Sequence, residues 1–368
     1  MRIQIEQSEL MKYVNIVQKG ISSKTTLPIL DGILIETIDN RIKITGTDLE
    51  LGIESYINGN ILEEGSIVIN SKLFGDIVRK LPNETIDIVT TDNKMKITCK
   101  TSEFNLIGNS ATEYPELPTL IDQYSIKIPK DLFKSTIRQT VFATTQDETR
   151  PILTGVLLEV IDDKACFVAL DGYRLALKTI KINSSENIKV VIPGKTLIEL
   201  NKILDDEEDD VDVVLTPSHI VFKLGSTVVY SRVLEGQFLN YRDIIREEHN
   251  TKVKINRKEL QDSLERASLL AREQKANLVK LNITDDKISI KSNSEIGNVH
   301  EELELEKTGE DTQIAFNSKY LLDGIRAIDV EFIELYFMGS LNPCIIKPEG
   351  NNSYTYLVLP VRLARNDY

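Results

Sequence analysis

At 368 residues the chain is long enough for two or three domains of ordinary size, and its 41% hydrophobic and 27% charged residues are typical of a globular protein. No apolar run approaches the ~20 residues of a membrane span, and three scattered cysteines (Cys99, Cys166, Cys344) fit a reducing cytoplasm rather than a disulfide framework. A net charge of −13 argues against a protein that binds phosphate through a general basic surplus.

Arg2-Ile3-Gln4-Ile5-Glu6 alternates like a strand, without the apolar block of a signal peptide, and leads into a predicted helix near 8–20. Ile33-Leu34-Ile35 and Arg41 to Thr45 flank an Asp39-Asn40 turn, a hairpin signature. The apolar run Ile67-Val68-Ile69 ends in Asn70-Ser71-Lys72, opening a helix over 71–81. A further hairpin, 85–89 with 94–99, precedes Glu113-Tyr114-Pro115-Glu116-Leu117-Pro118, read as the exit from a first unit.

The same order then returns. Ile126 and Ile128 precede a helix over 130–143; Val190-Val191-Ile192 ends in Pro193-Gly194-Lys195 and a helix over 194–204; strands 211–215 and 220–224 flank Thr216-Pro217-Ser218. Between them the run Asp205 to Asp210 reads as a solvated loop, lacking the glycine and ligand alternation of a calcium site. Gln237-Phe238-Leu239-Asn240-Tyr241 closes this unit. A third opens with Val253 and Ile255, continues through a helix over 257–274 and a strand pattern from Leu278 to Ile290, and reaches Asn317-Ser318-Lys319 and a helix over 318–327. Strands 333–337 and 344–346 follow around Gly339.

Pro28-Ile29-Leu30-Asp31-Gly32 matches Pro151-Ile152-Leu153-Thr154-Gly155 at the same offset that relates Asp48 to Asp171 and Ile69 to Ile192. Three copies of roughly 120 residues follow, each reading strand, helix, three strands, and then the same again. Alternation in the strands implies sheets with one face against helices and the other exposed. The six predicted helices carry a net +7, which leaves −20 on the rest of the chain. Positive charge is therefore concentrated on the helices of an acidic protein.

The search for chemistry returns little. His219, His249 and His300 sit in separate segments, none beside a nucleophile; no glycine-rich phosphate loop occurs, and no cysteine cluster has zinc spacing. Asp48 and Asp171 occupy equivalent places of different copies and read as turn caps, with Gly172 supplying an unusual backbone angle. No catalytic residue, metal or cofactor is expected.

The chain resembles the bacterial DNA polymerase III beta subunits, the sliding clamps, over essentially its whole length. The resemblance rests on Thr26-Leu27-Pro28-Ile29-Leu30, Thr45-Gly46-Thr47-Asp48-Leu49-Glu50, Thr149 to Gly155, Ala169 to Ala176, and Leu359-Pro360-Val361-Arg362, in order and within a threefold repeat. It implies an α+β fold of three clamp domains at 1–123, 124–249 and 250–368, forming a head-to-tail homodimeric ring with helices inside and sheets outside. It implies a non-catalytic, cytoplasmic protein that encircles double-stranded DNA without regard to sequence. Expected partners are the polymerase III alpha subunit, the clamp loader, and other polymerases and repair proteins bound through short peptide motifs.

By position in the repeat, Lys72, Lys195 and Lys319 are the first candidates for lining the hole, followed by Lys12, Arg79, Lys134, Arg138 and Lys202; the resemblance adds Lys24 and Arg150. The implied peptide pocket uses Leu153, Leu170, Gly172, Tyr173, Arg174, Leu175, Ile244, Ile345, Leu357, Leu359, Pro360, Val361 and Arg362. Leu357 and Leu359 read equally as core strand residues. Where the family has Gly-x-Phe-Pro-Asp-Tyr, this chain has Gly236-Gln237-Phe238-Leu239-Asn240-Tyr241, and the tail Ala364 to Tyr368 runs past the usual ending. Ring closure would pair the edge strand Thr101 to Leu106 with a strand bearing Glu301, Glu302 and Glu304, packing Phe104 and Leu106 against Leu269 and Leu270. Competing readings are a repeat scaffold that ignores nucleic acid, and a metal-dependent enzyme built on the acidic loops.

Overall fold

The computed structural model describes residues 1–22, 27–118, 124–184, 187–205, 209–246, 248–273 and 277–362. Lys24 and the tail Ala364–Tyr368 lie outside these. Among the described residues six α-helices form: α1 Gln7–Val17, α2 Ser71–Lys80, α3 Lys130–Thr140, α4 Gly194–Ile203, α5 Arg257–Ala271 and α6 Ser318–Arg326. Each overlaps its expected span, with α1, α3 and α5 ending three residues early; 3-10 turns at Gln18–Gly20 and Val141–Ala143 take up the remainder after α1 and α3.

Helix starts are fixed locally. The Asn70 side chain accepts from Leu73 N at 2.9 Å, and Asn317 accepts from Lys319 N at 3.0 Å and Tyr320 N at 3.4 Å. An asparagine in this place satisfies amides that otherwise have no helical acceptor. Phe74, Ile77 and Val78 of α2, like Leu321, Leu322 and Ile325 of α6, face the core, while Lys72 and Lys319 stay exposed.

By its contacts the chain divides into two compact units: Met1–Phe133 with Lys195–Val233, and Lys134–Gly194 with Leu234–Tyr368. The first holds two sheets. One runs, in spatial order, Asn60–Glu63, Arg2–Glu6, Thr85–Thr91, Lys94–Cys99 and Ser102–Ile107. The other runs Tyr124–Pro129, Asp210–Leu215, His219–Leu224, Thr227–Arg232, Leu51–Ile57, Arg41–Thr47, Gly32–Ile38 and Ser66–Asn70. Asp39 and Asn40 form the two-residue hairpin with φ of +48° and +58°, the left-handed pair that matches strand twist.

The second unit also holds two sheets. The longer runs Ile188–Pro193, Gly155–Ile161, Lys164–Leu170, Arg174–Lys181, Tyr354–Val358, Cys344–Pro348, Phe332–Phe337, Thr251–Asn256 and Glu306–Gly309. The shorter runs Gly297–Glu304, Lys287–Ser294, Leu278–Thr284 and Thr312–Asn317.

The central repeat is shared between the units, a feature its sequence boundaries do not convey. Half of its strands continue the first copy's sheet through the Leu51–Ile57/Thr227–Arg232 ladder; the other half join the third copy's through Arg174–Lys181/Tyr354–Val358. Antiparallel edges left open at each repeat's end are paired by the next copy, which removes unsatisfied backbone groups. Two short strands, Asn60–Glu63 and Glu306–Gly309, add to the predicted set; neither shows an apolar alternation, the first having adjacent Ile61 and Leu62 and the second no apolar side chain.

Candidate functional site

The aliphatic residues assigned to the pocket converge in the second unit. Leu153, Leu170, Leu175, Ile345 and Leu357 are buried in one cluster with Leu157, Val168, Val191, Phe238 and Tyr241. Strand register explains the meeting, since Leu175 lies opposite Leu357, which lies opposite Ile345. Burying each such leucine contributes about 2 kcal/mol. Beside the cluster opens a cavity of about 260 Å³, lined by Asp243, Ile244, Arg246, Glu248, Tyr336, Met338, Asn342, Pro343, Ile345 and Leu357. Of these, sequence reasoning named only Ile244, Ile345 and Leu357. Asp243, Arg246 and Glu248 come from the segment that follows Tyr241, and Tyr336, Met338, Asn342 and Pro343 from strand Phe332–Phe337 and its turn, brought in by the Tyr336–Ile345 pairing.

Ile244 (37% exposed) lines the cavity; Tyr173 (58%), Leu239 (52%) and Leu359 (37%) are also exposed but are not among its lining residues. Leu359 N donates to Tyr173 O at 2.8 Å, tying the C-terminal segment to the turn, and Val361 N donates to Ala315 O at 2.8 Å. Pro360 and Val361 are half-buried and Arg362 is exposed. The turn is capped as expected: Asp171 Oδ1 accepts from Tyr173 N at 2.8 Å and Arg174 N at 3.1 Å, and Gly172 takes a φ of +96°.

Arg174 points inward and offers the pocket no free head group. Its guanidinium donates to Asp171 at 3.0 Å, Asp323 at 2.6 Å and Phe142 O at 2.8 Å, and lies over the rings of Phe142 and Tyr320. Burial opposes its charge, but Tyr356, Asp323 and Asp171 outweigh that and hold it as a cation. Tyr173 stacks on Tyr320 with ring centroids 6.0 Å apart, so the pocket turn is braced against α6. Below, Tyr241 and Arg242 donate to Glu159 at 2.9 and 2.6 Å. Burial tends to raise the Glu159 pKa, yet these bonds prevail and hold it below the usual carboxylate range.

The basic candidates fall on helix starts and turns. Lys72, Lys195 and Lys319 stand exposed in the first turns of α2, α4 and α6, where the helix dipole disfavours a cation by roughly 0.3–1 kcal/mol. Lys195 pairs with Asp48 at 2.6 Å; Arg79 pairs with Asp76 at 2.9 Å, Lys202 with Glu199 at 2.7 Å and Arg138 with Asp329. Arg150 pairs with Asp147 at 3.3 Å and also donates to Asp171 O at 3.4 Å. Lys12 lies over the Tyr13 ring, and Lys134 is half-buried. Among the described residues, Lys72 and Lys319 enter no ion pair. Exposed pairs of this kind are worth at most about 1 kcal/mol and exchange readily for phosphate.

Of the acidic run, Asp205 pairs with the buried Lys130 at 2.6 Å, while residues 206–208 lie outside the described chain. Among the described residues no group of three or more His, Cys, Asp or Glu could hold a metal, and no helix is long and apolar enough to cross a membrane.

Ser102–Ile107 and Gly297–Glu304 are both unpaired sheet edges. Phe104 and Ile107 are exposed on the first, with Leu106 half-buried; Leu269 stands exposed on α5, with Leu270 half-buried. Glu301 accepts from Arg266 at 2.9 Å, which depresses its pKa, and Glu304 is exposed.

Residues 1–118, 127–240 and 242–362 match, in order, the N-terminal, central and C-terminal domains of the DNA polymerase III beta subunit. The beta sliding clamp of Bacillus subtilis is 40% identical over 376 residues, covering 98% of this chain and 100% of the relative. That of Staphylococcus aureus is 38% identical over 374 residues, covering 98% and 99%. The crystal structure of the Bacillus subtilis clamp superposes with a TM-score of 0.96 at 39% identity, covering 99% of this chain and 100% of that one. A Pseudomonas aeruginosa clamp bound to griselimycin gives 0.94 at 27% identity, with coverage of 99% and 100%. The chain belongs to the DNA polymerase III beta subunit family, the bacterial sliding clamps, and has their three-domain α+β fold and their role as a non-catalytic processivity factor.

Proposed function

We propose that two copies close head to tail into a ring around duplex DNA, with domains at 1–123, 124–249 and 250–368, and that the ring tethers cytoplasmic replication and repair proteins through the pocket of the second unit. The observation that carries the DNA face is the threefold placement of an exposed lysine in a helix first turn, at Lys72, Lys195 and Lys319. That position costs helix stability, whereas a phosphate beside it gains both the cation and the helix amides. Lys12, Arg79, Lys134, Arg138, Lys202, Arg150 and Lys24 extend the surface. Contacts to phosphate alone carry no sequence information, which suits a ring that slides.

The edges Ser102–Ile107 and Gly297–Glu304, one from each copy, form the joint. Phe104, Leu106, Leu269 and Leu270 supply its apolar contact, flanked by Glu301 and Glu304. Because Arg266 already engages Glu301, the joint rests on apolar packing and strand pairing more than on charge. In the pocket, the leucine cluster takes a partner's apolar side chains, with Tyr173, Ile244 and Leu359 as the adjustable rim. Polymerase III alpha subunit, clamp loader and repair proteins would each present a short peptide there.

The test is a Lys72→Glu/Lys319→Glu chain loaded on primed circular DNA. Loss of loading and processive synthesis, with sedimentation still reporting a dimer, is the expected result. Unchanged loading overturns the DNA-face assignment.

A further inference from the structure

The turn beneath the peptide pocket occurs a second time, in the first unit's long sheet. Asp48 Oδ1 accepts from Glu50 N at 3.1 Å and Leu51 N at 2.9 Å, just as Asp171 accepts from Tyr173 and Arg174. Leu49 has a φ of +76° where Gly172 has +96°. The strand that follows pairs Gly52 with Tyr230, and Tyr230 with Val221; the other sheet pairs Leu175 with Leu357, and Leu357 with Ile345. Backbone, cap and register therefore repeat, and the first sheet has a pocket position of its own.

That position is filled from within. A Cβ on Gly52 would lie 2.4 Å from Leu117 Cδ2, so the Leu117 side chain sits directly on the strand at the position that Leu175, buried in the leucine cluster, holds in the second unit. Leu117 packs against Val214, Val221 and Tyr230. The cavity left beside it, bounded by Thr47, Leu49 and His219, is about 100 Å³, against about 260 Å³ in the second unit. Pro115 and Pro118 bracket Leu117 and restrict the backbone, which lowers the entropy lost in holding it there.

We infer that this is a second apolar-peptide site of the same design, occupied by the chain's own Leu117. A tethered ligand acts at the high effective concentration of an intramolecular group, so no free peptide at working concentration displaces it. Each chain then offers one peptide site instead of two, and Leu117 decides which junction of the repeat recruits partners. In the corresponding exit segment of the second copy, Phe238 and Tyr241 pack in the cluster with Leu175, Leu357 and Ile345, Tyr241 donating to Glu159; Leu239 is exposed, and a cavity of about 260 Å³ stays open beside the cluster.

The inference rests on reading the second unit's pocket as the peptide site, and the test separates the two. A synthetic peptide from the polymerase III alpha subunit of the same bacterium is titrated calorimetrically into the full-length chain, Leu359→Glu, Leu117→Ala and the double variant. Wild type should take one peptide per chain, and Leu359→Glu should weaken it by about tenfold or more. Unaltered affinity in Leu359→Glu refutes the pocket reading alone. Leu117→Ala should take two peptides per chain, the second more weakly, and the double variant should keep only that weak site. One peptide per chain in Leu117→Ala with a native thermal transition, or two in wild type, overturns the plug. Should Leu117→Ala unfold, Leu117→Val provides the smaller opening, with the same stoichiometry as the criterion.

Discussion

At the Asp48 turn, the cation that answers the capping carboxylate arrives from another element, Lys195 at the start of α4, and remains half in water. At the Asp171 turn it comes from within the turn, Arg174, and is buried among Asp171, Asp323 and two aromatic rings. One backbone frame thus supports two kinds of ion pair with different capacities. An exposed lysine can leave its carboxylate for a phosphate at little cost. A buried arginine cannot leave without stranding two carboxylates, so it serves to fix the floor of a binding pocket.

The sharpest way to break this contrast is to delete both cations. Arg174→Ala should destabilise the chain by about 3–5 kcal/mol and abolish peptide binding, since Asp171 and Asp323 are left unpaired. Lys195→Ala should shift the denaturant midpoint by no more than about 1 kcal/mol. Equal losses in the two variants would show that the turns do not differ as described. Next in size are the leucines beside the turns. Leu357→Ala removes a buried side chain from its cluster and should cost about 3 kcal/mol, whereas Leu117→Ala, at a half-buried position, should cost about 1 kcal/mol; urea unfolding compares them.

Backbone angle gives a smaller effect of opposite signs. Gly172→Ala forces a side chain onto a φ of +96° and should cost about 1 kcal/mol, while Leu49→Gly relieves a φ of +76° and should be neutral or slightly stabilising in thermal melts. The smallest expected effect is on acid stability. Glu159 has a folded pKa below its unfolded value, so its contribution is present above the unfolded pKa and is lost as pH falls through the folded one. Glu159→Gln should therefore lower stability at neutral pH and flatten the acid limb below about pH 4.5. An unchanged slope there would remove the Tyr241–Glu159–Arg242 group from the account.

Much of this frame was legible in the residues. Asn70 and Asn317 mark helix starts because their side chains cap them, Asp39-Asn40 marks a hairpin because both residues tolerate left-handed angles, and Asp48 and Asp171 mark turns because a short carboxylate reaches two amides. The leucines of the pocket came from family resemblance, and strand register then brought them together. Arg174's inward direction was not legible, because its partners Phe142 and Asp323 lie on elements far away in sequence. Leu117 was hidden for the same reason: Pro-Glu-Leu-Pro reads as an exit loop until Gly52 is seen beneath it. The short strands Asn60–Glu63 and Glu306–Gly309 form because neighbours offer them edges, a fact with no local signature.

Retention on DNA of two topologies separates enclosure of the duplex from binding to its surface. Clamp loaded onto nicked circular plasmid should stay bound through a high-salt wash and be lost once the plasmid is cut at a single site. Equal retention on circular and linear DNA, or loss from the intact circle in high salt, would mean that the chain grips the duplex by its surface and does not enclose it.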